Sequence, residues 1–422
     1  MKIPAAEKTL LDNGIKVLTE KISTMRSIAV GIMVGAGSGD EPTDLSGISH
    51  FIEHMTFKGT EKRSAFEIAQ AIDSVGGRIN AFTGKESTTY YCVVLDTHLD
   101  VALDVLSDIF LNSLFDVKEI ELEKGVVLEE IKMYEDTPDE LIHDFFAETI
   151  LGGHPLGKVT IGNAGAIKAL NRDKILNFRR KLYAPDNLII SVAGNTEHSA
   201  VIKQIEAFFK NMTGRREAVA LPPPVITPQI RVKKKKTEQV HLGLGVKGVS
   251  HLDEERYAFA TLDNILGGSM SSRLFQEIRE KRGLVYSIYS YNTAFRDFGI
   301  FTIFAGTSRQ NLNPVVELAL EEFRKVKKEG VSGDELKRAK EYLKGNLVLG
   351  LESTSSRMSW LARSEFYYNR VMTIDEVLEQ IDKVTQDDII RLANLYLTDQ
   401  YLTLATIGDF EEGELPIKEL RA

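Results

Sequence analysis

The chain has 422 residues, enough at about 150 residues per domain for two large domains or three ordinary ones. Hydrophobic residues make up 43 % and charged residues 27 %, an ordinary globular balance that excludes a disordered chain. With 52 basic against 61 acidic side chains the net charge is −9, which argues against nucleic acid or an anionic membrane as partner; the single cysteine, Cys92, excludes intramolecular disulfides and multi-cysteine metal sites.

The opening segment, MKIPAAEKTLLDNGIKVLTEKIS, has no apolar core of signal-peptide length, and no apolar run is long enough to span a bilayer. A cytoplasmic location is therefore expected. IAVGIMVGAGSG, from Ile28, reads as a strand entering a loop. That loop, GAGSGDE (Gly35–Glu41), lacks the third glycine of G-x-G-x-x-G and reads as a tight turn rather than a nucleotide cradle.

Next comes SGISHFIEHMTFKGT, with His50, Glu53 and His54 in the order H-x-x-E-H. On a helix the two histidines stand one turn apart on one face, where their imidazoles can converge on a tetrahedral cation. Glu53, adjacent to a ligand, can reach a water on the metal and act as general base. The order inverts H-E-x-x-H and marks the inverted zincins. The plainer reading is an amphipathic helix carrying two surface histidines.

GGRINAFTGKES opens with a turn at Gly76-Gly77 and continues through Asn80, Ala81, Phe82 and Thr83 as an extended edge. A peptide can add to such an edge as an extra strand, although an ordinary hairpin is the plainer reading. YYCVVL (Tyr90–Leu95) is strand-like, and Cys92 within it reads as buried packing rather than a nucleophile. EIELEKGVVLEEIKMYED (Glu119–Asp136) reads as a helix with a packing stripe of Ile120, Val127, Leu128 and Ile131. Glu123 and Glu130 share a partly apolar face, where a cation removes the cost of burying a carboxylate. Zinc needs a third protein ligand and an open fourth position. Glu130 is the ligand candidate and Glu123 its supporting neighbour, although periodicity alone leaves the two interchangeable.

The clearest break is LPPPVITPQIRVKKKK (Leu221–Lys236), whose prolines suit an extended linker; the lysine run that follows reads as a solvated strand edge. Sequence on the two sides repeats. IKALNRDKIL (from Ile167) parallels IDKVTQDDII (from Ile381), with Asn171 and Thr385 both at helix N-cap positions. LYAPDNLIISVAGN (from Leu182) parallels LYLTDQYLTLATIGD (from Leu395), and the strand at Ile28 parallels QVHLGLGVKGVS (from Gln239). Three matches in one order imply a duplication. The strands have close turns rather than regular βα alternation, so an α+β class is expected. The expected domains are 1–212, a linker at 213–230, and 231–422. In the second half ERYAFATLDNILGG (from Glu255) offers no histidine pair, and IREKRGLVYS puts Arg279 on a helix and Tyr286 on the strand after Gly283. A charged helix end is the plainer reading of Arg279.

HFIEHMTFKGT, followed 76 residues after His54 by Glu130 in VVLEEIKMYED, resembles the pitrilysin family of inverted-zincin metallopeptidases, most nearly its mitochondrial processing-peptidase branch and bacterial relatives. GGRINAFTGKESTTYY, YAPDNLIISVAGN and LGGSMSSRLFQEIREKRGLVYS extend the likeness over nearly the whole chain. The resemblance implies two homologous α+β domains and one zinc ion per chain, held by His50, His54 and Glu130. Glu53 is then the base and Glu123 an assisting residue beside the metal. Asn80, Ala81 and Phe82 become a substrate-binding edge, and Arg279 and Tyr286 contact the substrate near the scissile bond. The implied activity is zinc-dependent endopeptidase action on peptides or short unfolded segments. The implied assembly is a homodimer in which each chain completes its partner's site. The alternative is a non-catalytic, metal-binding subunit or scaffold of a processing-peptidase-like complex; the intact His50, Glu53, His54 and Glu130 argue against it.

Overall fold

A computed structural model describes residues 6–217, 221–415, 417 and 419–422, so 1–5 and part of the expected linker, 218–220, lie outside the described residues. The first half runs β1 (Glu7–Leu10), β2 (Lys16–Lys21), β3 (Ser27–Val34), α1 (Ile48–Thr56), α2 (Ala65–Asp73), β4 (Arg78–Thr83), β5 (Thr88–Leu95), α3 (Leu99–Asn112), α4 (Val117–Glu135), α5 (Pro138–Ile150), α6 (Ala164–Ala169), α7 (Arg172–Leu182), β6 (Leu188–Gly194) and α8 (His198–Phe209). The second runs β7 (Gln229–Lys234), β8 (Val240–Gly248), α9 (Arg256–Leu266), a π-helical turn (Phe275–Glu280), β9 (Val285–Ala294), β10 (Gly299–Thr307), α10 (Leu312–Glu329), α11 (Gly333–Gly350), α12 (Thr354–Tyr368), α13 (Ile374–Lys383), α14 (Gln386–Tyr396) and β11 (Thr403–Gly408). The class is α+β, and among the described residues no helix is long and apolar enough to cross a membrane.

The chain forms two compact units, and they are not simple halves. One comprises Met1–Lys132, Lys158–Leu221 and Leu349–Thr373; the other Met133–Gly157, Pro222–Val348 and Ile374–Ala422. Each half therefore lends one helix, α5 or α12, to the unit built mainly from the other. The contiguous division at 213–230 misses this exchange, because an apolar helix face carries no mark of the sheet it will cover.

In the first unit the strand order is β1-β2-β6-β3-β5-β4, with β2 and β6 parallel and the other pairs antiparallel. Side chains alternate across a strand. In β3, Ile28, Val30, Ile32 and Val34 enter the main core, while Ala29 and Met33 face Met358, Leu361 and Ala362 of α12. Gly31 lies on that second face, where a Cβ would run into the Met358 sulfur. Charges also fix α12. Buried Glu20 pairs with Arg357, and buried Glu365 with Lys8 at 2.7 Å and Lys16 at 2.9 Å. Removing one partner of a buried pair costs about 3–5 kcal/mol, because the other charge stays desolvated.

In the second unit the order is β7-β11-β8-β10-β9, with β7 and β11 parallel and the rest antiparallel. Strands β7, β11, β8, β10 and β9 thus repeat the arrangement of β2, β6, β3, β5 and β4, so the duplication read from sequence is present in topology. Val240, Leu242, Leu244 and Val246 enter the core, and Gly243 and Gly245 leave room for Phe146 of α5. The repeated helix starts also match: Asn171 and Thr385 each cap their helix through the side chain. Residues 221–228 carry no regular element, and β7 follows as an edge strand with Lys234 paired to Glu411 at 2.7 Å.

Candidate metal centre

Helix α1 buries Ile48, Phe51, Ile52 and Met55, the i, i+3, i+4, i+7 stripe of a core-facing helix. That packing leaves His50, Glu53 and His54 on the partly open side. Helix α4 buries Ile120, Glu123, Val127 and Ile131, so its inner face also carries a carboxylate. The two helices bring the donor atoms of His50, His54 and Glu130 within 4.8 Å of one another. Each imidazole Nε2 is 3.8 Å from a Glu130 oxygen, and the two rings meet edge to face at 4.5 Å. Ligand distances of about 2.1 Å put tetrahedral donors roughly 3.4 Å apart, close to the two 3.8 Å histidine–Glu130 separations, so the donor set suits a zinc ion once the side chains draw in. Glu130 Oε2 is buried with no hydrogen-bond partner, an orphaned acceptor that a cation would satisfy.

Glu123 occupies a different place. Its Oε1 is 2.8 Å from His54 Nδ1, and its Oε2 is 2.5 Å from Lys58 Nζ. The ambiguity that periodicity left between the two glutamates is thereby resolved in space: Glu130 faces both imidazoles through Nε2, while Glu123 holds the outer nitrogen of His54. A carboxylate at Nδ1 fixes the tautomer that leaves Nε2 free as a ligand. Burial opposes a charge on Glu123, yet His54 and Lys58 hold its carboxyl below the usual range. His54 is raised on balance: burial lowers it, and Glu123, with Glu130 and Glu53, outweighs that. Burial, with His54 beside it, pushes His50 down to about 4, which favours the neutral, ligating form.

Glu53 is half-buried, and burial raises its carboxyl above the ordinary value against the opposing hydrogen bond from Thr83. Thr83 Oγ1 donates to Glu53 Oε2 at 2.5 Å. Thr83 ends β4, so the edge strand carrying Asn80, Ala81 and Phe82 terminates against the candidate base. Strand β4 is both the first arm of an ordinary hairpin with β5 and the open edge of its sheet. The Ala81 N–H donates to Asn80 Oδ1 at 2.8 Å, and Phe82 is exposed, 6.2 Å from the Tyr91 ring.

Arg279 and Tyr286 lie in the second unit, on the π-helical turn and on β9. They meet each other, with the guanidinium 5.8 Å from the Tyr286 ring and 4.6 Å from Phe275, and both line a cavity of about 570 Å³. Sequence reasoning missed Lys58, and it placed Thr83 on the extended edge without its contact to Glu53. Lys58 lies four residues after His54 in the quoted motif, and Thr83 directly follows Phe82; adjacency was the available signal. The demoted signals stay demoted. The Ser38 and Gly39 N–H groups in the glycine loop are taken by the Gly84 and Lys85 carbonyls, and burial pushes the Cys92 thiol up to about 12.

Known proteins resemble this chain over nearly its whole length. Residues 16–164 match the family described as "Insulinase (Peptidase family M16)", and residues 169–343 match "Peptidase M16 inactive domain". The Bacillus subtilis protein named "Uncharacterized zinc protease YmxG" is 43 % identical over 404 residues, covering 96 % of this chain and 98 % of that one. An uncharacterized zinc protease of Streptomyces coelicolor is 41 % identical over 92 % of this chain and 86 % of its own. Among solved structures, a protease from Helicobacter pylori superposes with a TM-score of 0.88 at 25 % identity, covering 96 % of this chain and all (100 %) of that one. An M16 inactive-domain protein from Pseudomonas fluorescens shares the fold, with a TM-score of 0.90 at 21 % identity over 96 % of this chain and 98 % of its own. The chain belongs to peptidase family M16, the pitrilysin-like family that the sequence resembles. Among the described residues the three-donor cluster lies in the first of its two M16 domains, and the second matches the domain described as inactive.

Proposed function

We propose that the protein is a zinc-dependent endopeptidase acting on peptides or short unfolded segments. The observation that carries this reading is the convergence of His50, His54 and Glu130 beside Glu53, with a buried Glu130 oxygen that has no hydrogen-bond partner. His50, His54 and Glu130 would hold one zinc ion per chain, and the names of the relatives support that metal. Bound zinc supplies Lewis acidity and brings a water's pKa toward neutrality.

Glu53 takes the proton from the attacking water and returns it to the leaving amine. Its Oε2 is engaged by Thr83, which leaves Oε1 for the proton. Glu123 acts one step removed, by holding the His54 ring. An extended substrate lies along β4, where its carbonyl replaces the Asn80 side chain at the Ala81 N–H and main-chain pairing is indifferent to sequence. Tyr286 donates to the developing oxyanion and Arg279 to a substrate carbonyl, supplied across a homodimer. The lone buried cysteine is consistent with a reducing, cytoplasmic setting.

Zinc content measured alongside hydrolysis of a quenched peptide library tests this reading. One zinc per chain with cleavage inside peptides is expected. Bound zinc without cleavage of any peptide would favour a non-catalytic metal-binding subunit and overturn the proposal. Mixed dimers pairing Glu53→Gln with Arg279→Ala chains test the shared site: activity well above either parent supports it, and activity at parental levels opposes it.

A further inference from the structure

The helix that carries His50, Glu53 and His54 begins at a residue that cannot cap it. Gly47 is the N-cap of α1, in the left-handed region at φ 93° and ψ 1°. A Cβ there would sit 2.6 Å from the Ile161 carbonyl oxygen and 2.9 Å from the Gly162 Cα, and a Cβ on Gly162 would run into the Ser46 carbonyl. Two glycines pack backbone to backbone, which excludes the serine, threonine or aspartate that would ordinarily accept the first free N–H groups of a helix.

Glu41 supplies what Gly47 lacks. Its Oε2 accepts the Gly47 N–H at 2.6 Å and its Oε1 accepts the Ser49 N–H at 2.8 Å, and the side chain is buried. A carboxylate at this position also opposes the positive end of the helix dipole. His50 is the next residue, still in the first turn, where a helix without a cap frays. The same loop is braced at its other end, since the Ser38 N–H donates to Gly84 at 3.0 Å and the Gly39 N–H to Lys85 at 2.7 Å, both in the turn after β4. One loop thus fixes the start of the metal helix and the end of the edge strand.

We propose that Glu41 is a positioning residue for the metal centre: its carboxylate holds the first turn of α1, and with it His50, in the orientation that a cation shared by His50, His54 and Glu130 requires. This rests on reading that cluster as a zinc site. Burial pushes the Glu41 carboxyl up to about 7 against the pull of its two N–H bonds, so the test is run at pH 8, above that value.

The test is zinc affinity by chelator competition on the full chain, with thermal unfolding of each metal-free variant. Glu41→Ala should bind zinc at least about tenfold more weakly than wild type, the size of effect seen when a group supporting a metal ligand is lost. Glu41→Gln, with one acceptor oxygen instead of two, should fall between. The control is Glu20→Gln, which breaks the buried pair with Arg357; it should lower thermal stability and leave zinc affinity unchanged. If both Glu41 variants bind zinc within about twofold of wild type, whatever their stability, the residue is only structural and the proposal fails. Should Glu41→Ala not fold, the glutamine variant carries both outcomes. Wild type that binds no zinc would remove the proposed function as well, whereas normal wild-type binding with unchanged Glu41 variants removes this inference alone.

Discussion

Glu123 Oε1 lies 2.8 Å from His54 Nδ1, while the other nitrogen of the same ring, Nε2, faces Glu130 at 3.8 Å. One imidazole is held from behind by a carboxylate that is itself held by Lys58 at 2.5 Å. The contact at Nδ1 thus orients the ring with Nε2 toward the Glu130 carboxylate, the orientation that a metal ligand needs.

Glu123→Gln should weaken zinc binding by about 10–100-fold without removing a ligand, because the amide cannot supply the same charge or the same grip on the ring. Lys58→Met should weaken it in the same direction by less, acting only through Glu123. Competition with a chelator of known affinity checks both. Equal affinity in wild type and Glu123→Gln would show that the carboxylate plays no supporting part.

Helix α5 is seated over Gly243, where a Cβ would lie 2.9 Å from the Phe146 ring. Gly243→Ala should destabilise the protein by about 1–3 kcal/mol through overpacking, and Phe146→Leu in the same background should recover part of the loss. Thermal unfolding of the single and double variants reads the coupling. Strict additivity of the two effects would mean that the ring does not press on this position.

Acid stability should depend on Glu335. Its Oε1 is 2.7 Å from Arg273 Nε, and its Oε2 accepts the Ser332 N–H at 2.8 Å. Burial raises the carboxyl, but these partners prevail and bring it from an ordinary 4.5 down to about 2. The unfolded chain therefore takes up this proton first as pH falls. The stabilisation is complete above about 4.5 and is lost progressively toward about 2. Glu335→Gln should lower stability at neutral pH and flatten the fall between those limits, which denaturant unfolding at stepped pH would measure.

Much of the candidate centre is local in sequence, and that is why it could be read. His50, Glu53 and His54 fall within five consecutive residues, so the helical period alone places both imidazoles on one face. Glu123 and Glu130 differ by two turns of one helix, and periodicity cannot say which of them reaches a partner helix whose axis is not yet known. Thr83 and Lys58 act through contacts made only after β4 and α4 have docked on α1. Glu41 reads from sequence only as the end of a tight loop, because nothing local shows that its side chain will supply the acceptor that Gly47, six residues later, lacks. The repeat was legible because Asn171 and Thr385 carry the same local instruction. The exchange of α5 and α12 was not, since Gly31 and Gly243 show their purpose only against Met358 and Phe146.

The most direct measurement is peptide hydrolysis by wild type and Glu53→Gln with the zinc content of each determined in the same samples. Both proteins should hold one zinc per chain, and the variant should lose about 10²–10⁴-fold in kcat with its metal in place, the contribution expected of a positioned general base. A Glu53→Gln protein that hydrolyses peptides at the wild-type rate would contradict the account.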